Sequence, residues 1–226
     1  MGGLQNLKSL GNSVALADIA NRLVNDFFHT TTVIWPYRNI SSGTNALTTA
    51  LGHPGVVSYS SSTSANSGSG VGIDACLQIS GGEKSTIIFK TATTLTGVTR
   101  RMGFSTSISE ALPTDGCYGM IADGVLTGIT ANNNTRSTTA TSFTLSANTW
   151  YRLKISINSN ATLVTYTLYT DNSDTVLWTD TLATNIPASN RAVGHGDIAT
   201  YSGTSAIVIG YIDYIDVEFS NVRRIV

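Results

Sequence analysis

Charge is scarce in this chain. Asp, Glu, Lys and Arg make up 12% of its 226 residues, about half the ~25% of an average soluble protein. Thirteen Lys and Arg against fourteen Asp and Glu leave a formal charge of -1, and no basic run is long enough to track a phosphate backbone by counterion release. Nucleic acid is excluded as a ligand class, and no charge-driven partner is expected. Long apolar runs are also missing. No window approaches the ~20 consecutive apolar residues that a membrane-spanning helix needs, so no membrane insertion is expected. The start, Met1-Gly2-Gly3-Leu4-Gln5-Asn6, has neither the charged nor the apolar region of a secretory signal, and Asn6 stands where a myristoylation pattern requires Ser or Thr. Two cysteines, Cys76 and Cys117, are too few for a disulfide framework or a zinc site, and both are read as free thiols. The histidines His29, His53 and His195 lack partners at i+2 or i+4, so neither a metal nor a cofactor is expected.

What is present is an apolar share of 41% with many β-branched residues, enough for one globular domain with a short appendage. Ser, Thr and Asn rather than ion pairs must wet most of its surface. The first fifty residues differ in texture from the rest. Val14, Ala17, Ala20, Leu23, Val24, Phe27 and Phe28 recur near a 3.6-residue period behind Ser13 as N-cap, which predicts one amphipathic helix over about 13–28. Being alone, it must bury its stripe on the β domain or on another subunit. The segment around Trp35-Pro36-Tyr37 reads as an extended arm or edge strand.

From about Val56 the period switches to two. Runs of five to nine residues are separated by Gly, Asn, Asp and Ser, as in Val71 to Ile79, STIIFK, RRMGFST, CYGMIA, Val125 to Thr130, WYRLKISI, LVTYTLYT, VLWTDTLA and Ala206 to Phe219. In WYRLKISI, Tyr151, Leu153, Ile155 and Ile157 share one face; Trp150, Arg152, Lys154 and Ser156 share the other. The tract Ser58 to Gly70 is low-complexity and reads as a loop or a polar strand. Short strands with turn signals every ~8 to 12 residues and no interleaved helices predict an antiparallel β-sandwich or jelly roll.

Four stretches then carry a resemblance: His53-Pro54-Gly55-Val56; Pro113-Thr114-Asp115-Gly116-Cys117-Tyr118; Ala147-Asn148-Thr149-Trp150-Tyr151-Arg152-Leu153-Lys154-Ile155; and Thr184-Asn185-Ile186-Pro187 followed by Asp213-Tyr214-Ile215-Asp216-Val217. In this order they resemble the concanavalin A-like (lectin/glucanase) jelly-roll domain of virion proteins of tailed bacteriophages, over about residues 53 to 219. The resemblance implies an all-β sandwich displayed on a phage particle and assembled in the host cytoplasm. Its partners would be other virion proteins, a homo-oligomer guessed to be a trimer, and a host surface glycan. Residues 1–50 would then be a docking or oligomerisation arm, with Val14, Leu23, Val24, Phe27, Phe28, Trp35 and Tyr37 as its contact residues, and residues 51–226 the jelly roll.

Chemistry on such a fold has few candidates. Glycoside hydrolysis needs two carboxylates facing each other across a groove. Asp213, Asp216 and Glu218 form the one cluster, with Asp216 and Glu218 on one face by alternation and Asp213 on the other. The spacing departs from the glucanase pattern, and Asp213 is better read as satisfying a buried backbone or Arg partner. His195, near Arg191 and Tyr201, has the make-up of a lyase base, but reads more simply as part of a glycine-bent strand edge. Asp171-Asn172-Ser173-Asp174 lacks calcium-loop spacing and reads as a hydrogen-bonded turn. For a lectin, sugars stack on rings beside amides and acids, which makes Trp150, Tyr169, Trp178 and Tyr201 the candidates. The sequons at Asn39, Asn133 and Asn160 carry no glycosylation claim without a signal. The expectation is a non-enzymatic, carbohydrate-binding-type virion component, with a polysaccharide-degrading glycosidase or lyase as the alternative.

Overall fold

The computed structural model describes residues 22–25, 36–50 and 52–219, apart from the side chains of Asn25, Pro54 and Cys76. Within them the chain forms strands β1 (Arg22–Asn25), β2 (Tyr37–Ile40), β3 (Thr44–Ala50), β4 (His53–Ser60), β5 (Ser67–Gln78), β6 (Lys84–Thr91), β7 (Val98–Ser105) and β8 (Gly116–Ala122). The second half adds β9 (Val125–Asn132), β10 (Thr135–Thr138), β11 (Phe143–Thr144), β12 (Trp150–Ile157), β13 (Val164–Thr170), β14 (Val176–Leu182), β15 (Ala192–Tyr201) and β16 (Val208–Glu218). All pairings are antiparallel. Sheet A runs β14-β13-β12-β6-β16-β4-β3, and sheet B runs β10-β9-β8-β7-β15-β5-β2. The first half of β16 pairs with β4 and its last residues, Ile215 to Glu218, pair with β1. The long final strand is thus central, held on its other side by β6.

The alternation read from the sequence makes the two layers. On β12, Tyr151, Leu153, Ile155 and Ile157 are 4% exposed or less and face sheet B, while Trp150, Arg152, Lys154 and Ser156 remain half-buried on the outside. Two glycines shape the core from the opposite side. Gly119 and Gly128 sit side by side on β8 and β9; a Cβ there would come within 2.6 Å of Leu153 and 2.4 Å of the Tyr166 ring, respectively. Their missing side chains form the recess that those two residues fill at the density of a protein interior. Tyr166 ends in a hydrogen bond of 2.6 Å to the Ile129 carbonyl. A polar staple joins the sheets as well. Arg100 donates through Nε (2.8 Å) and Nη2 (2.5 Å) to Asp197, and reaches the carbonyls of Lys90 (3.1 Å) and Tyr211 (2.9 Å) in sheet A. The low-complexity serine tract closes the β4–β5 connection. Ser67 Oγ accepts from Ser62 N at 2.8 Å, and Ser69 Oγ donates to the Thr44 carbonyl at 2.7 Å.

The N-terminal expectation needs correction. Where the periodicity predicts a helix over 13–28, residues 22–25 form strand β1 in register with β16, Leu23 opposite Val217 and Val24 opposite Asp216. Leu23 packs against the core and Val24 is 40% exposed. Four residues fit a period of two as well as 3.6, and the last residues of β16 offer backbone groups that β4 leaves unpaired. Val14, Phe27, Phe28 and Trp35 lie outside the described residues. Tyr37 is 41% exposed on β2. β1, β2 and β3 all precede residue 51, and all are built into the sheets. The expected alternation also breaks within β5. The ladder with β15 shifts register between Val193 and His195, so Asp74 and Ala75 are exposed between the inward-facing Ile73 and Leu77.

Candidate functional site

The two outer faces differ. On sheet B the loop between β7 and β8 lies across the strands. A Cβ on Gly72 or Gly196, register partners on β5 and β15, would come within 3.0 Å of Ile108, and Arg101 donates to the carbonyls of Ser109 and Ala111. Sheet A instead presents side chains in cross-strand rows that remain partly exposed. One row is Tyr211, Lys90 and Trp150, and the next is Tyr214, Ile88, Arg152 and Tyr169. Beyond them come Asp216, Thr86, Lys154 and Thr167, then Glu218, Lys84, Ser156 and Thr165. Aromatic rings and cations therefore occupy one half of the face, and hydroxyls with ion pairs the other.

At the aromatic end, His53 at the head of β4 stacks on Trp150, with ring centroids 3.8 Å apart and an interplanar angle of 17°. Its Nδ1 is 2.8 Å from Asp213 Oδ2 and its Nε2 is 3.0 Å from Asp171 Oδ2. Residues from three of the quoted stretches, His53, Trp150 and Asp213, thus meet at one point. Asp213 reaches His53 because the ladder between β16 and β6 shifts between Ile212 and Tyr214, which breaks the alternation expected for this strand. Asp171 is spent on this latch, and Asp174 accepts from Arg152 at 2.7 Å, so the Asp171–Asp174 turn is tied to the sheet by both its carboxylates.

At the other end lies a shallow depression of ≈ 250 Å³, lined by Lys84, Thr86, Lys154, Ser156, Asp216 and Glu218 among others. Asp216 and Glu218 share this face, as alternation predicts. Both are engaged: Arg22 grips Asp216 with two bonds, 2.8 and 2.6 Å, and Lys84 lies 3.0 Å from Glu218. The bidentate contact raises the Arg22 guanidinium pKa above its ordinary value.

The other predicted residues are dispersed. Tyr169 is on the sheet A face, with the Arg152 guanidinium 4.7 Å and Lys154 Nζ 5.1 Å from its ring centroid. Trp178 is 8% exposed in the core, its Nε1 donating to Thr141 Oγ1 at 3.0 Å, because its register partner Leu168 points inward. Tyr201 ends β15 in sheet B, partly buried against the core and away from Trp150 and Tyr169. His195 is fully buried in a central strand of sheet B rather than at an edge. Its Nε2 lies 2.7 Å from Ser85 Oγ of sheet A, and burial pushes its pKa down to about 3. Asp115 is buried; it takes the Asn133 N–H at 2.8 Å and Arg191 Nη1 at 3.0 Å, locking the β7–β8 and β9–β10 connections together. Cys117 is a free thiol, buried between the sheets, and its pKa is raised by that burial. Sequence reasoning missed Lys90, Tyr211 and the His53 latch. Lys90 and Tyr211 are legible only once β6 and β16 are known to be neighbours.

Residues 52–213 match the family model described as SO2946-like, C-terminal domain. No curated protein matches the chain. Among solved structures, the chain is similar to SO2946, a protein of unknown function from Shewanella oneidensis MR-1, with a TM-score of 0.74 and 23% identity over 98% of this chain and 95% of that one. It is also similar to the carbohydrate recognition domain of Emp47p (TM-score 0.60, 12% identity, 88% of this chain and 94% of that one). A third likeness is to a Bacillus licheniformis beta-glucanase (TM-score 0.58, 13% identity, 89% and 99%). These likenesses show a concanavalin A-like lectin/glucanase jelly roll, a fold shared by binding proteins and enzymes alike.

Proposed function

The chain belongs to the SO2946-like, C-terminal domain family, and from that premise and the geometry of sheet A we propose that it is a non-enzymatic glycan-binding module. The observation that carries the reading is the outer face of sheet A, where Trp150 on β12, Tyr169 on β13 and, across β6, Tyr211 and Tyr214 on β16 share one face with Thr and Ser hydroxyls. Rings supply apolar contact to the C–H faces of a sugar, and hydroxyls and charged groups bind its polar edges. The ion pairs of Asp216 with Arg22 and Glu218 with Lys84 favour binding over hydrolysis. Hydrolysis needs two carboxylates facing each other across a groove and open to the scissile bond, whereas here both already face a cation of this chain.

A glycan array probed with the full chain tests this, followed by titration of Tyr169→Ala against any hit. Loss of binding with an unchanged circular-dichroism spectrum is expected. A blank array across neutral and charged glycans would overturn the reading. Should any preparation degrade a polysaccharide, turnover abolished in an Asp216→Ala, Glu218→Ala double variant would return the protein to the enzymes. The resemblance of the ordered motifs is the support for the wider setting, a module displayed on a phage particle; the homotrimer is carried over by analogy with phage fibres, and because β1, β2 and β3 belong to the sheets, the described residues among the first fifty are not a separate arm. Mass spectrometry of purified particles and light scattering of the full chain test it, and absence from the particle or a stable monomer would count against it.

A further inference from the structure

The cations on the outer face of sheet A are not equally compensated. Arg22 is paired with Asp216, Lys84 with Glu218, and Arg152 with Asp174. Lys90 and Lys154 have no carboxylate partner among the described residues. Each lies instead beside rings: Lys90 Nζ is 6.0 Å from the Trp150 centroid and 5.5 Å from that of Tyr211, and Lys154 Nζ is 5.1 Å from that of Tyr169. Both residues are half-buried, and Lys154 also lines the ≈ 250 Å³ depression. The only acids lining that depression, Asp216 and Glu218, are taken by Arg22 and Lys84. An ammonium beside a ring is partly desolvated and attracted to the π face, but it keeps its full charge for an incoming anion.

We infer that the ligand of this face is an anionic saccharide, whose carboxylate or sulfate meets Lys154 while its ring packs on Tyr169, with Lys90 receiving a second acidic group further along. The inference rests on the glycan-binding reading and specifies its ligand class. Three features point the same way. The depression holds one more cation than anion once Arg22 is counted with the acids it serves. Lys90 and Lys154 are four residues apart in row terms on adjacent strands, about 14 Å between Cα atoms, so two charges spaced along a polymer are matched rather than one compact dianion. Arg152 lies between them with its guanidinium 4.7 Å from the Tyr169 centroid, which holds that ring in place.

The test uses oligogalacturonate and the same oligomer with its carboxyls methyl-esterified, titrated by calorimetry against the full chain. A sulfated oligosaccharide separates sulfate from carboxylate as the anion, and a single-stranded oligonucleotide of similar charge serves as polyanion control. The acidic oligomer is expected to bind, and the esterified one to bind about tenfold or more weakly, the range of one charge-assisted hydrogen bond. Lys154→Gln should lose about the same factor and Lys154→Arg should retain binding, both with unaltered thermal midpoints; affinity should fall as NaCl rises from about 50 to about 500 mM. If neutral glycans bind as well as acidic ones and Lys154→Gln is silent, the anionic class is wrong while glycan binding stands. If the oligonucleotide binds as tightly as the acidic oligomers, the saccharide assignment is overturned. If no saccharide of either kind binds, the glycan reading itself falls.

Discussion

Consider lowering the pH of the folded protein through the range in which an ordinary histidine takes up a proton. His195 is fully buried, with Ser85 of β6 and Phe104 of β7 against its ring, and burial lowers its pKa from 6.5 to about 3. The unfolded chain therefore binds a proton below about pH 6.5 that the folded chain refuses until about pH 3, and stability must fall as pH drops through this window. The contribution is intact above pH 6.5. Below it the loss approaches 1.4 kcal/mol per pH unit, which amounts to about 2 kcal/mol between pH 7.5 and pH 5. That is a sizeable part of the 5–15 kcal/mol typical of a domain. The assay is urea unfolding of the wild type and His195→Gln at both pH values. Gln fills a similar space, can bond Ser85 Oγ and does not titrate, while every other group is common to both proteins and cancels. The wild type should lose about 2 kcal/mol more than the variant on acidification. Equal losses in the two proteins would refute the reasoning, because they would mean that His195 protonates in the folded state as it does in the unfolded chain.

Other perturbations test the packing directly. Asp197→Asn leaves the Arg100 guanidinium, 2% exposed, without its counter-charge, and should cost about 3–5 kcal/mol by chemical denaturation; a change under about 1 kcal/mol would show that the pair is dispensable. Gly128→Ala drives a methyl to within 2.4 Å of the Tyr166 ring and is expected to destabilise by about 1–3 kcal/mol, whereas a neutral outcome would mean the recess is looser than described. Cys117 should resist iodoacetamide in the native protein and react once unfolded, because only the thiolate is nucleophilic and burial disfavours it; peptide mapping that finds Cys117 alkylated under native conditions would contradict its placement.

Much of the fold was legible because strand period and turn chemistry are local. Trp150, Arg152, Lys154 and Ser156 face out and Tyr151, Leu153, Ile155 and Ile157 face in, as alternation requires. The helix expected over 13–28 fails at 22–25 because four residues cannot distinguish a period of 3.6 from one of 2, and the unpaired end of β16 decided between them. Asp213 was misplaced because alternation assumes an unbroken ladder, and the register shift beside it turns its carboxylate to His53. Trp178 and Tyr169 are nearby aromatics of similar promise in the sequence. Register alone puts the first opposite Leu168 in the core and the second opposite Arg152 on the surface.

By itself, the sequence determined an all-β sandwich with a surface of hydroxyls and little charge, because composition and periodicity reach no further than each strand and its immediate turns. It spoke against a charge-driven partner on the same ground, since thirteen cations spread over 226 residues form no basic run. Only the tertiary structure could set Lys84, Lys90, Arg152 and Lys154 on one face. They come from two strands more than fifty residues apart, and it is the β6–β12 ladder that makes them neighbours. Which of them are neutralised depends in turn on Arg22, Asp174, Asp216 and Glu218, brought in by β1, the β13–β14 turn and β16. Net charge is a sum over the chain, whereas recognition depends on where the unpaired charges lie, and that is a property of strand order.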